Sequence, residues 1–262
     1  MTANALVETR GLTIRFGGLT AVNAVDFSAA PGETVGLIGP NGSGKTTFLN
    51  LLTGIYQPTD GEIRYQGENL VGLAPFRIAL RGIARTFQTN RLFLGLSVID
   101  NVLIGMHRRH KGSWLDGIFR RGRAERELRA DVTHGLDLLG QFSASLAANP
   151  YQRAADLPQG ERRKLEICRA LAADPQLLLL DEPSVGMTPD ETRELMADIR
   201  RVRQKRPDIA IILIEHDMSV IRQVTQRVVV LNYGRKVAQG TFEEVSRQEE
   251  VLEAYLGREA DA

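Results

Sequence analysis

Four short runs constrain this chain more than any other feature: TVGLIG (34–39), QLLLLD (176–181), IAIILIEH (209–216) and RVVVLN (227–232). Each is apolar at nearly every position, so a strand built from it is covered on both faces. The runs are rich in Val, Ile and Leu and separated by segments of helix length, the pattern of a largely parallel sheet with crossover helices. The expected fold class is α/β. Elsewhere LVETRGLTIRFGG, AVDFSAAPGE, GEIRYQGENL and KVAQGTFEEV alternate apolar and polar residues between glycine turns. They predict half-exposed antiparallel strands, a second sheet on the same core.

Between residues 97 and 173 the texture becomes helical throughout. Ser97 with Asp100 fits a capping box, and Leu128, Val132, Leu136 and Leu139 recur at helical spacing. This stretch reads as a helical subdomain inserted into the core. Its segment HRRHKGSWLDGIFRRGRAERELR is basic, with Trp114 and Phe119 interleaved, and is read as a solvated excursion. With no internal repeat or linker, the 262 residues are expected to form one compact unit.

Charge narrows the function classes. Thirty-three Lys and Arg against 32 Asp and Glu leave a balance of +1, which argues against a protein built to neutralise nucleic-acid phosphates. The single cysteine, Cys168, cannot form an internal disulfide and is expected as a small core residue, compatible with a reducing cytoplasm. The start MTANALVETRGLTIRF lacks the basic and apolar regions of a secretory signal, and no apolar run approaches the ~20 residues of a membrane span. Any membrane role is expected to come through a partner.

GPNGSGKTT follows the first buried run directly and precedes a helical one. In GxxxxGK[ST] the glycines Gly39, Gly42 and Gly44, with Pro40, Asn41 and Ser43, fold into a nest of backbone amides around phosphates. Lys45 reaches the outer phosphates, Thr46 is placed for Mg²⁺, and Thr47 continues into the helix. LLLLDEP ends an apolar strand in two carboxylates, costly to bury unless a cation or a reaction needs them. Asp181 is expected to hold Mg²⁺ indirectly, and Glu182 to orient and deprotonate an attacking water. His216 would ordinarily be a packed or capping residue; beside a nucleotide it can contact the γ-phosphate and hold water and carboxylate in register. Gln88, in RTFQTNRLF, lies where core meets helical insert, a place from which it could sense Mg²⁺ and water. LPQGERRKLEICRAL (157–171) opens an amphipathic helix with a glycine, and read alone it is a surface helix with a basic face.

In this order, the phosphate loop GPNGSGKTT, Gln88, LPQGE, LLLLDEP, SVGMTPD and His216 together resemble the ATP-binding cassette ATPases over nearly the whole chain. The resemblance implies a RecA-like P-loop core with an N-terminal antiparallel β subdomain, at 1–87 and 174–262, and a helical subdomain at 88–173 carrying the signature. It implies ATP and Mg²⁺ as ligands. Phe16 matches the aromatic that stacks on adenine, and Val22 an apolar neighbour of that ring. It also implies a head-to-tail pair, homotypic or heterotypic, in which Pro158, Gln159, Gly160 and Glu161 serve the partner's nucleotide.

LPQGE departs from the commoner LSGGQ: Pro158 removes a serine hydroxyl, and the carboxylate of Glu161 is unhelpful near phosphate unless it points away. RTFQTNRLFLGLSVIDNVLIGMH, RRKLEICRAL, IEHDM and EEVLEAYLG resemble the larger ATPase of bacterial branched-chain amino-acid uptake systems. That implies permease partners, an external solute-binding protein and a place at the cytoplasmic face of the inner membrane. Lipopolysaccharide-export and urea-uptake ATPases are the near alternatives. A soluble cassette ATPase would bring a coiled-coil insertion, zinc cysteines or tandem cassettes, and a kinase or GTPase would leave LPQGE and His216 unexplained. A binding-only module would hold ATP without turnover.

Overall fold

A computed structural model of the chain describes residues 5–86, 92–106 and 121–256. Its strands are β1 (Val7–Phe16), β2 (Leu19–Ala29), β3 (Thr34–Ile38), β4 (Asp60–Tyr65), β5 (Glu68–Asn69), β6 (Ile83–Arg85), β7 (Leu177–Asp181), β8 (Ala210–Ile214), β9 (Arg227–Asn232) and β10 (Arg235–Gly240). The helices are α1 (Lys45–Leu52), α2 (Pro75–Leu80), α3 (Val98–Gly105), α4 (Arg121–Phe142), α5 (Ala144–Ala148), α6 (Gln159–Ala172), α7 (Pro189–Lys205), α8 (Met218–Val224), α9 (Phe242–Val245) and α10 (Glu249–Leu256). They divide into two compact units: Met1–Arg85 with Gln176–Pro183 and Arg203–Ala262, and Thr86–Pro175 with Ser184–Val202. The segment Ser184–Val202 therefore groups with the helices, whereas the family resemblance implied a core that takes in all of 174–262.

In the first unit the four apolar runs become β3, β7, β8 and β9 of a six-stranded sheet ordered β10-β9-β3-β8-β7-β6. All pairs are parallel except β9 with β10. Every residue of β3, β7 and β8 is buried, because both faces of the sheet are covered. Period two still decides direction: Leu177 and Leu179, Ala210 and Ile212, Val229 and Leu231 join one core with Phe48 and Leu49 of α1. Leu12, Val25 and Phe27 of the antiparallel sheet β2-β1-β4-β5 complete it. Phe27 meets Phe48 edge-on at 5.2 Å. At the rim Glu33 accepts from Arg227 Nε at 2.7 Å and Nη2 at 3.2 Å, and from the Ala30 amide at 2.9 Å. Burial opposes ionisation of Glu33, but the Arg227 bond and the Ala30 amide outweigh it and hold the carboxyl below its ordinary range.

KVAQGTFEEV corrects the expectation. Its first part is β10, which joins the large sheet through a two-residue turn at Tyr233 and Gly234, both with positive φ. TFEEV begins α9, because Thr241 and Glu244 form a reciprocal capping box that starts a helix and ends the strand.

The described part of the second unit is helical, and Ser97 with Asp100 makes the expected capping box at α3. On α4 the buried stripe is Asp131, Gly135, Leu138, Leu139 and Phe142, while Leu128 is exposed. Gly135 faces Ile99 and Val102 of α3, so the contact centres a turn and more beyond Leu128. Cys168 lies fully buried in α6, and burial, with the charges of Asp198 and Glu161 adding, pushes its thiol far up. Trp114 and Phe119 lie outside the described residues. No helix among the described residues is long and apolar enough to cross a membrane.

Candidate nucleotide site

Because β3, β8 and β7 are adjacent and parallel, their carboxyl ends share one edge of the sheet. The residues that follow them are the loop 39–44, His216 and Glu182. The loop is pinned from two sides: the Ser43 amide donates to Pro40 O at 3.1 Å, and Ser43 O accepts from the Gly234 amide at 3.0 Å. Gly44 has φ 103°, and a Cβ there would lie 2.4 Å from Ala21 O, so no other residue fits. Gly39 is buried, Pro40 half-buried, and Asn41 and Gly42 exposed at the tip. Thr46 and Thr47 are half-buried in the first turn of α1, whose leading amides have no partner within the helix and favour an anion. Lys45, only 6% exposed, turns back so that Nζ donates to Gly39 O at 2.7 Å and Pro40 O at 2.9 Å. A cation thus already sits in the cradle.

At the end of β7, Asp181 is buried and its Oδ2 accepts from Arg85 Nη2 at 2.8 Å. Burial raises its carboxyl above the ordinary range, and the guanidinium opposes that shift. Glu182 adopts a left-handed backbone, φ 50°, while its amide donates to Ile214 O at 3.0 Å. This conformation is uncommon for a glutamate. It follows the last paired residue of β7, and the side chain reaches His216, with Oε1 2.5 Å from Nε2. An ionised carboxylate only accepts, so an Nε2–H donates in this pair. Glu182 is 15% exposed and His216 47%, so the pair opens to solvent from the histidine side.

Phe16, at the end of β1, is 44% exposed and lies edge-on to Tyr56 at 5.2 Å, which offers an aromatic platform. Val22 is a correction: it is fully buried in the core opposite Ile14 and presents no surface to a ring. Gln88 lies outside the described residues.

The signature belongs to the second unit. Pro158 caps α6 without a side-chain bond, Gln159 is exposed in its first turn, and Gly160 is buried. Added at Gly160, a Cβ would lie 2.6 Å from Oε1 of Glu191, whose Oε2 accepts from the Thr188 amide and hydroxyl. The carboxylate of Glu161 turns aside: Oε2 accepts from Ser143 Oγ at 2.7 Å and Oε1 lies 3.7 Å from Lys164 Nζ. Lys164 in turn bonds Glu194 at 2.8 Å. Although burial opposes it, these carboxylates hold the ammonium above its ordinary range.

Sequence reasoning passed over Arg85, Asn50, Tyr56, Ser143 and Lys164. Arg85 had a readable signal, an arginine in a short apolar stretch next to Gln88, but a three-residue strand carries no period. Ser143 lies 18 residues from Glu161, and no local spacing joins them.

The protein-family model "ABC transporter" matches residues 22–185, more than half of the chain, and "Branched-chain amino acid ATP-binding cassette transporter" matches 235–261. The chain is 41% identical over 257 residues to the high-affinity branched-chain amino acid transport ATP-binding protein LivG of Escherichia coli K12, covering 96% of this chain and 98% of that one. It is 40% identical over 252 residues to BraF of Pseudomonas aeruginosa, with the same coverage. Among solved structures, the ADP conformation of an ATP-binding cassette of an ABC transporter superposes with a TM-score of 0.81 at 25% identity, covering 97% of this chain and 99% of that one. The chain thus belongs to the ABC transporter ATPase family and, like that family, binds ATP.

Proposed function

We propose that this chain is the ATP-hydrolysing subunit of a membrane transporter that imports branched-chain amino acids. The observation that carries the reading is end-to-end similarity to LivG and BraF, whose names state that transport. The Glu182–His216 pair supports hydrolysis as the chemistry.

ATP lies with its phosphates in the amides of residues 39–47, and Lys45 exchanges the carbonyls of Gly39 and Pro40 for outer phosphate oxygens. Phe16 stacks on adenine beside Tyr56. Thr46 and Asp181, with Gln88, are oxygen donors of the kind Mg²⁺ takes when it shares ligands with phosphates. When bound, that ion neutralises charge on the outer phosphates. Glu182 accepts the proton of an in-line water, and His216 holds the carboxylate toward it. Pro158, Gln159 and Gly160 present a helix start to the nucleotide of a second ATPase subunit, a copy or a relative, paired head to tail. Glu161 is directed to Ser143 and so does not oppose that phosphate.

Permease subunits hold the pair at the cytoplasmic face of the inner membrane, and an external binding protein delivers the solute. ATP favours the closed pair over the open one, and that difference drives the permeases.

The test is reconstitution in vesicles with permease subunits and a solute-binding protein of the branched-chain amino-acid type. ATP-dependent uptake of labelled leucine, isoleucine or valine, abolished by Glu182→Gln, is expected. Uptake of another solute class, export of a lipid, or preference for GTP over ATP overturns the reading.

A further inference from the structure

The last residue of β6, the first of the stretch RTFQTNRLF, ties together two other parts of the site. Arg85 Nη2 donates to Asp181 Oδ2 at 2.8 Å, while Nη1 donates to Asn50 Oδ1 at 2.7 Å and to Thr53 Oγ1 at 3.4 Å. The Arg85 side chain is 4% exposed and that of Asp181 1%, so water screens the pair little. Asn50 and Thr53 stand four and seven positions beyond Thr46, on the same face of the helix that begins at the phosphate loop. One planar fork therefore spans from the face that carries Thr46 to the carboxylate at the end of β7. Its parallel donors fix direction as well as distance, which a lysine's single nitrogen does not.

We propose that Arg85 is a positioning residue that sets the Thr46 hydroxyl and the Asp181 carboxylate relative to one another, and so governs how much a divalent cation strengthens nucleotide binding. This rests on the reading that Thr46 and Asp181 serve Mg²⁺. Arg85 reaches the cation only through these two residues and their frame. Its loss therefore acts on the metal–nucleotide complex and leaves the amide cradle for bare nucleotide in place.

The experiment measures binding of a fluorescent ADP to the full chain in EDTA and in excess Mg²⁺, with Mn²⁺ and ADP followed by electron paramagnetic resonance. Asn50→Ala removes one arm and keeps Asp181 paired. It is expected to cut the cation's enhancement by about 3- to 10-fold, with affinity in EDTA unchanged. Arg85→Lys is expected to cut it further and to alter the Mn²⁺ spectrum. Melting curves verify that each variant is folded, and Asn50→Ala carries the test should Arg85→Lys fail to fold. Asp181→Asn tests the underlying reading: an enhancement that survives it removes the metal role of Asp181. If Asp181→Asn abolishes the enhancement while Asn50→Ala and Arg85→Lys preserve it, the positioning role is overturned and the metal reading stands. Equal losses with and without cation overturn it too, since they mark a purely structural residue.

Discussion

His216 Nε2 lies 2.5 Å from Glu182 Oε1, a contact that joins the ends of two neighbouring parallel strands. The pair depends on the left-handed backbone at Glu182, which carries the side chain out of line with β7. Histidine and carboxylate fix one another, so each has one orientation to offer a water. Replacing Glu182 by Gln preserves shape and removes the proposed base. Turnover in the assembled transporter is expected to fall on the order of 10²- to 10⁴-fold with ATP binding retained. His216→Ala is expected to lower kcat with little change in KM, and steady-state kinetics separates the two parameters.

Phe16 is an exposed ring braced by Tyr56. Phe16→Ala is expected to weaken ATP about 2- to 12-fold, the worth of an aromatic pair, and Phe16→Tyr to preserve affinity. Inorganic triphosphate, which has no base, should bind both variants equally in a calorimetric titration. A parallel loss for triphosphate would place Phe16 in support of the loop instead.

Glu33 gives stability a pH dependence of definite sign. Its carboxyl is held below the ordinary 4.5, so as pH falls the unfolded chain takes up the proton first. The stabilisation is complete above that ordinary value and is lost as pH drops through the lower folded one. Glu33→Gln should cost about 1–2 kcal/mol at pH 7 by urea titration. The difference from the parent should shrink toward zero in that acid window.

Cys168 is the chain's one thiol, fully buried, with ionisation suppressed by that burial. A thiol reagent is expected to leave the folded protein unmodified and to react once when denaturant unfolds it. Rapid labelling of the native chain, followed by absorbance, would contradict the packing of α6.

The parallel core was readable because its runs lack alternation, a direct consequence of burial on both faces. The glycine turn between β3 and α1 was readable because Gly39, Gly42 and Gly44 answer local backbone demands with positive φ. Long-range pairing left no such trace. Arg85 meets Asp181 across 96 positions, and Glu161 meets Ser143 across 18. Val22 was misjudged because a residue beside an exposed ring can still face the core, and only the register opposite Ile14 decides which. Strand KVAQG was assigned to the wrong sheet because antiparallel pairing with β9 joins it to the parallel layer as an edge, a choice its own alternation does not encode.

The turn of Glu161 toward Ser143 and Lys164 ties the start of α6 to a side chain near the end of α4 and to one a turn further along α6. Exchanging Glu161 for the glutamine of the commoner LSGGQ would therefore strip a buried hydroxyl and a lysine of the anion they face. A segment moved into this chain at the start of α6 therefore keeps that pairing only if Ser143 and Lys164 keep an anion between them.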